Sequence, residues 1–193
     1  MKKLILILII TFNFQSYAKA DDIRDFEIEG ISIGDNLVNY MSKKNIIANI
    51  QGHYSSDSKF FEVEYTGNKN QYEHLLFHVK RKDKNYKIYY IRAVNIVRNK
   101  NECNKIKKNI VKELRNSFLK TKFLEGNQKH YFYQNSTQYI SQFNFTNNKN
   151  ANDHIRVECM IFAEEDKKIH GNLPSTLEVI IGTKEFGIWL NNQ

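Results

Sequence analysis

Four groups of residues in this sequence have the types and spacing to do chemistry. Gly30-Ile31-Ser32-Ile33-Gly34 spells G-x-S-x-G. In hydrolases that string exposes a nucleophilic serine on a sharp turn between a buried parallel strand and a long helix. Here it follows only a short acidic segment, so its glycines more simply serve a turn that leads into a helix. His74 and His78 are four apart, the spacing of a zinc pair on a helix. Their surroundings alternate as a strand does, which puts them about 13 Å apart along its axis, too far for one ion. Leu75 also stands where a zinc-protease motif needs Glu. His53, His130, His154 and His170 are scattered without ligand spacing. No metal and no cofactor is expected, and no residue is assigned as catalytic. The enzymatic alternative is a small exported hydrolase using Ser32 or a histidine.

The two cysteines, Cys103 and Cys159, each fall on the apolar side of their own element. In an exported chain an even number of cysteines pairs, so a bridge from Cys103 to Cys159 is expected. Cys103 also sits near a helix N-terminus, where a thiol is acidified, but no C-x-x-C and no neighbouring histidine support a reactive role. The fourth group is basic. Lys80, Lys82, Lys84 and Lys87 surround a hairpin turn with Tyr86, Tyr89 and Tyr90 among them. Cations interleaved with aromatics form a candidate anion-binding surface; a solvated turn in a lysine-rich chain is the plainer alternative.

These residues need elements to hold them. Cys103, Ile106, Ile110, Leu114 and Phe118 recur at helical steps, which predicts one long helix over about 101–119, with Asn101 as its cap and Lys107, Lys108, Lys112 and Arg115 outward. Two short helices are predicted near the N-terminus, capped by Asp35 and Ser42. Strands are predicted at 59–65, 72–82, 138–146 and 154–162 from period-two alternation, at 86–98 from β-branched and aromatic residues, at 177–181 as the last strand, and a short one at 130–133. The stretches 120–129 and 164–174 are polar and predict loops. A short amphipathic helix closes the chain at 184–190. The fold class is therefore α+β: a mainly antiparallel sheet of about five to seven strands with one long helix packed on it.

Composition narrows the rest. Residues 1–20 read as a signal peptide: Lys2 and Lys3, an apolar run from Leu4 to Phe14, then Ala18-Lys19-Ala20. The run is too short to span a bilayer well, and no later segment is long enough. Residues 21–193 read as one domain. Removing the leader takes three lysines and lowers the formal charge from +8 to +5. Abundant Lys, Asn and Ile match AT-rich codon usage, which weakens any inference from charge. Outside the cytoplasm nucleic acid is not an expected partner; an envelope protein or an anionic surface is.

Three stretches carry a resemblance: Ile28-Glu29-Gly30-Ile31-Ser32-Ile33-Gly34-Asp35-Asn36-Leu37, the hairpin from Phe77 through Asp83-Lys84-Asn85 to Ile88, and Gly182-Thr183-Lys184-Glu185-Phe186 with Trp189-Leu190. They are similar to a set of uncharacterised exported proteins of bacteria with AT-rich genomes, including a cysteine at the helix start and another in a late strand. The resemblance implies a periplasmic or extracellular location and this size, and no activity. The Gly-Ile-Ser-Ile-Gly-Asp string is more weakly similar to small envelope α+β domains that serve as assembly or inhibitor modules. The expectation is a non-catalytic binding module of the cell envelope.

Overall fold

The computed structural model of the chain describes residues 22–52, 54–55, 57–67, 71–145 and 152–193. The expected leader, residues 1–20, and His53 lie outside them. The fold is α+β. Two tiny strands, β1 (Glu27–Ile28) and β2 (Ile31–Ser32), form a hairpin. Its turn needs two positive φ angles, at Glu29 and Gly30, the mirror-image geometry that matches strand twist. The larger sheet holds β3 (Phe60–Glu64), β4 (His74–Lys80), β5 (Ile88–Ile96), β6 (Lys122–Lys129), β7 (Thr137–Asn144), β8 (His154–Ile161) and β9 (Thr176–Gly182). Their spatial order is β3-β4-β5-β9-β8-β7-β6, and every pairing is antiparallel. The last strand closes the middle of the sheet, and all seven of its residues are buried.

Four α-helices accompany the sheet: α1 (Lys43–Ala48), α2 (Lys100–Ser117), α3 (Glu164–His170) and α4 (Lys184–Leu190). Ser42 caps α1 through the Asn45 amide. The other short N-terminal helix expected from the sequence is a single 3-10 turn, Leu37–Asn39, preceded by Asn36 rather than capped by Asp35. Asp35 is used elsewhere. One of its oxygens accepts from the Ser32 amide at 2.9 Å and from the Tyr40 hydroxyl at 2.7 Å. That bond pushes the Tyr40 phenol up to about 12. Gly34 and Asp35 also exchange backbone hydrogen bonds with Ile88. The Gly-Ile-Ser-Ile-Gly-Asp string thus fastens the N-terminal hairpin to the start of β5.

α2 carries the chain from β5 to the far edge of the sheet and lies on β8 and β9. Its N-cap is Asn99, two residues before the one expected, with its side chain accepting from the Glu102 amide. Cys103 and Cys159 are bridged, with Cα atoms 5.9 Å apart and both residues fully buried. The bridge fixes the helix's rotation. Cys103 faces β8, so Lys107 and Val111, one and two turns on, also face the sheet, with Leu114 and Phe118. Lys107, expected outside, is only 7 % exposed, and Ile106, expected inside, is 39 % exposed. The Lys107 stem runs along the sheet and its Nζ donates to the Tyr139 carbonyl at 2.9 Å.

Three further expectations change. Residues 122–129 form β6, an edge strand almost fully exposed and held by β7 alone, so its sequence has no need to alternate. Residues 164–170 form α3. Acidic Glu164, Glu165 and Asp166 open it, Lys167, Lys168 and His170 close it, and Gly171 at φ 80° ends it. Charge along the dipole and a glycine stop define this helix without an apolar stripe. Residues 130–133 are a loop, not a strand.

Candidate functional site

Apart from the bridged Cys103 and Cys159, the described residues singled out by chemistry are not brought together. Ser32 is buried in β2, and its hydroxyl donates to the Phe26 carbonyl at 3.3 Å. A backbone carbonyl does not activate a nucleophile as an imidazole would. His74 and His78 stand on β4, as the alternation indicated, but in unlike surroundings. His74 is exposed and pairs with Glu64 at 2.8 Å; His78 is buried. Lys80 is committed to Glu185 at 2.8 Å and lies over the Tyr89 ring, while Lys59 meets the same carboxylate at 2.9 Å. The pairing raises the Lys80 pKa. Lys82, Lys84 and Lys87 are exposed. The basic hairpin therefore presents three free-standing lysines rather than four. Among the described residues no three His, Cys, Asp or Glu side chains are gathered as a metal would need.

The structure assembles something else on the sheet face opposite α2. Alternation along the strands sends Arg92 of β5, Glu178 of β9, and Arg156 and Glu158 of β8 to that face. Glu158 stands directly across from Glu178 in the ladder. The Arg92 Nε lies 3.3 Å from a Glu178 oxygen, and Thr176 donates to the other oxygen at 2.9 Å. An Arg156 nitrogen is 3.6 Å from Glu158 Oε2, and Gln138 donates to Glu158 Oε1 at 3.2 Å. Arg156 also donates to Gln142 at 2.9 Å. Glu158 and Glu178 are 4 % and 9 % exposed. Burial, then the neighbouring Glu178 charge, pushes the Glu158 carboxyl above the usual carboxylate range, with Arg156 the main opposing charge. Burial would lower Arg92, but Glu178 and the surrounding acidic groups outweigh it and raise it.

Aromatic clusters flank this floor on both sides. On one, α4 lays Phe186 and Trp189 over Phe60, and Phe186 also against His78 and Tyr90, with ring centroids 4.6–5.4 Å apart. Thr183 caps that helix, which is why it starts immediately after β9. Tyr54 joins the cluster through Trp189 and through a 3.1 Å hydrogen bond with His78 Nε2. Burial raises the Tyr54 phenol. On the other side the β6–β7 loop brings His130, Phe132 and Tyr133. His130 Nδ1 accepts from the Phe132 and Tyr133 amides at 3.1 and 3.2 Å, which puts a neutral ring's proton on Nε2. Burial lowers the His130 pKa, in keeping with that neutral form. Tyr133 packs edge-on against Phe162 and His170. Asp166 anchors the loop, accepting from Ser136 at 2.5 Å and Asn135 at 3.1 Å. Between the two aromatic sides lies a cavity of about 590 Å³ floored by Arg92, Glu178, Arg156 and Glu158.

No family model, no curated protein and no solved structure matches the chain. Function therefore rests on these residues. Alternation had sent Arg156, Glu158 and Met160 to one side of their strand, but not what closes over them. The stronger sequence signal was Glu178: a glutamate inside Thr176-Leu177-Glu178-Val179-Ile180-Ile181, a segment otherwise nearly apolar on both faces.

Proposed function

We propose that the chain is exported to the periplasm or the exterior and acts there, without catalysis, as a binding module of the cell envelope. Its partner sits on the open sheet face. The leader-like residues 1–20, the buried Cys103–Cys159 bridge and the resemblance to exported proteins support export. The observation that carries the binding reading is the floor of two arginines and two glutamates inside a cavity between aromatic clusters. Burying Glu158 and Glu178 costs several kcal/mol per ion before pairing, even with the part-exposed Arg92 and Arg156 beside them, and a hydrophobic floor would stabilise the sheet as well or better. A polar floor at the base of an open cavity is what recognition uses. Lys80 is already paired, so the basic hairpin is the weaker candidate surface.

The test is site-specific capture in cells. A photo-crosslinking residue at Phe132, 75 % exposed on the cavity rim, should yield adducts with an envelope component. The same residue at Leu119, exposed at the end of α2, should not. Equal adducts from both positions, or none from Phe132, would overturn the assignment of the face. Intact-mass analysis of the exported material should show a chain beginning at Asp21.

One observation favours a second reading, a hydrolase. Glu158 faces Glu178 across the ladder, and burial drives Glu158 toward its protonated form. A carboxyl favoured in its acid form beside a second carboxyl is a pairing that hydrolases use. Turnover of a chromogenic glycoside or ester that disappears in Glu158→Gln would establish that reading; Ser32 has no part in it.

A further inference from the structure

We propose that the cavity on the open sheet face takes a neutral saccharide. The assignment rests on reading that face as the binding site, and it names the ligand's chemistry.

Two buried side-chain atoms on this floor, Glu158 Oε2 and Arg92 Nε, make no aligned hydrogen bond among the described residues, although each has an ion-pair partner, Arg156 at 3.6 Å and Glu178 at 3.3 Å. One is an acceptor and the other a donor. They stand on β8 and β5, with β9 between them. An ion pair without an aligned hydrogen bond leaves part of the cost of burying these atoms unmet. A hydroxyl both donates and accepts, and a ring bearing several hydroxyls can answer both atoms at once. It also suits Glu158 in either protonation state, since it donates to a carboxylate and accepts from a carboxylic acid.

Charge selects against other ligands. Each floor cation already faces a floor anion, Arg92 with Glu178 at 3.3 Å and Arg156 with Glu158 at 3.6 Å. An anion entering here must draw an arginine from its glutamate, and a cation must draw a glutamate from its arginine or Glu62, the third carboxylate of the lining, from His78 at 3.5 Å. Either leaves a buried charge without its partner, the costly arrangement. A neutral hydroxyl can add a hydrogen bond to each of these atoms while both charges keep their partners.

The walls complete the match. Tyr54, Tyr90, Tyr133 and Phe162 line the cavity around the charged floor, and Phe132 stands at its rim. A sugar ring presents C–H groups on its faces and hydroxyls on its edge, so it can lie against an aromatic ring while its edge meets the floor. The volume of about 590 Å³ falls inside the about 300–1,000 Å³ range of small-molecule sites.

The experiment titrates the full chain, recovered from cells, by isothermal calorimetry. Maltose, cellobiose, lactose and diacetylchitobiose are the neutral probes. Digalacturonate, dilysine and dialanine are the anionic, cationic and zwitterionic ones. At least one neutral disaccharide should bind, and the charged probes should not. Glu158→Gln on the floor and Tyr133→Ala on the wall should each weaken binding by about tenfold; Leu119→Ala, on the far side, should not change it. If Glu158→Gln fails to fold by circular dichroism, Tyr133→Ala carries the test. Binding of a charged or zwitterionic probe instead, weakened by the same variants, would overturn the saccharide and leave the face as the binding site. Disaccharide binding that neither variant weakens would overturn both. No binding by any probe would overturn the saccharide assignment.

Discussion

Breaking the Cys103–Cys159 bridge tests the architecture most directly. The two residues are 56 apart, and the loop they close contains nearly all of α2, all of β6 and β7, and most of β8. In the chain-entropy model a loop of this length restrains the unfolded chain by about 4 kcal/mol at 25 °C. That is a large share of the about 5–15 kcal/mol that holds an ordinary domain folded. Both residues are fully buried, so Cys103→Ala with Cys159→Ala also removes packed sulfur and adds a cavity term. Reduction of the native chain leaves the sulfur in place and isolates the cross-link. Guanidinium unfolding of the oxidised chain, the reduced chain and the double alanine variant should therefore give stabilities in that descending order. The oxidised-to-reduced gap should be about 2–5 kcal/mol. The reduced chain should also unfold with the steeper dependence on denaturant, because its unfolded state exposes more surface. A gap below about 1 kcal/mol, with equal slopes, would refute the reasoning: the loop would then be constrained by something other than the bridge.

Three further outcomes are expected. Burial lowers the Lys107 pKa, so the fold binds that proton less well than the unfolded chain does, and Lys107 costs stability at neutral pH that is relieved only as pH rises toward its ordinary value. Lys107→Met should be neutral or raise the melting temperature; a loss above about 1 kcal/mol would mean the bond to Tyr139 outweighs the burial cost. A Cβ on Gly182 would sit 2.6 Å from His154 Cε1 and 3.2 Å from Tyr90 Cδ2, so Gly182→Ala should cost about 1–3 kcal/mol in chemical denaturation; unchanged stability would show that the imidazole swings clear. Burial depresses the His154 pKa to about 4. The unfolded chain takes that proton first, so stability should fall as pH drops from about 6.5 through about 4, by roughly 3 kcal/mol at most, and His154→Gln should flatten that limb. An acid limb identical in the variant would remove His154 as its cause.

What the sequence made legible follows from which forces leave a periodic trace. The strands 60–64, 74–80, 88–96, 137–144 and 154–161 each turn one face to the main apolar core, which α2 covers over β8 and β9, and that face imposes alternation on the residues. The bridge was legible because Cys103 and Cys159 were both on the apolar sides of their elements. β6 left no trace because it buries almost nothing and is held by its backbone bonds to β7. α3 was missed because its only buried residue is Asp166, and its start and stop are written in charge and in Gly171. The turn of α2 about its axis lay beyond periodicity for another reason. The stripes 103-106-110-114 and 103-107-111-114 share Cys103 and Leu114 and differ by part of a turn. Hydrophobicity favours the first, and the attachment of Cys103 to Cys159 imposes the second at the expense of a buried lysine.

The candidate site was hidden by the same one-sidedness. Alternation says that Arg156, Glu158 and Glu178 leave the helix-covered side of the sheet, and the default is that they meet water. Glu158 and Glu178 do not, and Arg156 is only partly exposed, because the Tyr54 segment and the β6–β7 loop close over the opposite face. Both covers come from stretches remote in sequence from Glu158 and Glu178, so no short window of the sequence contains both a charge and its lid. The consequence is a sheet with two unlike interiors. One side is apolar, cross-linked by the bridge and built for stability. The other keeps paired charges, two of whose buried atoms make no aligned hydrogen bond among the described residues, and aromatic walls around a cavity. A fold that needed only stability would have filled the second side as it filled the first, so the difference between the two faces is the strongest structural argument that the second one binds something.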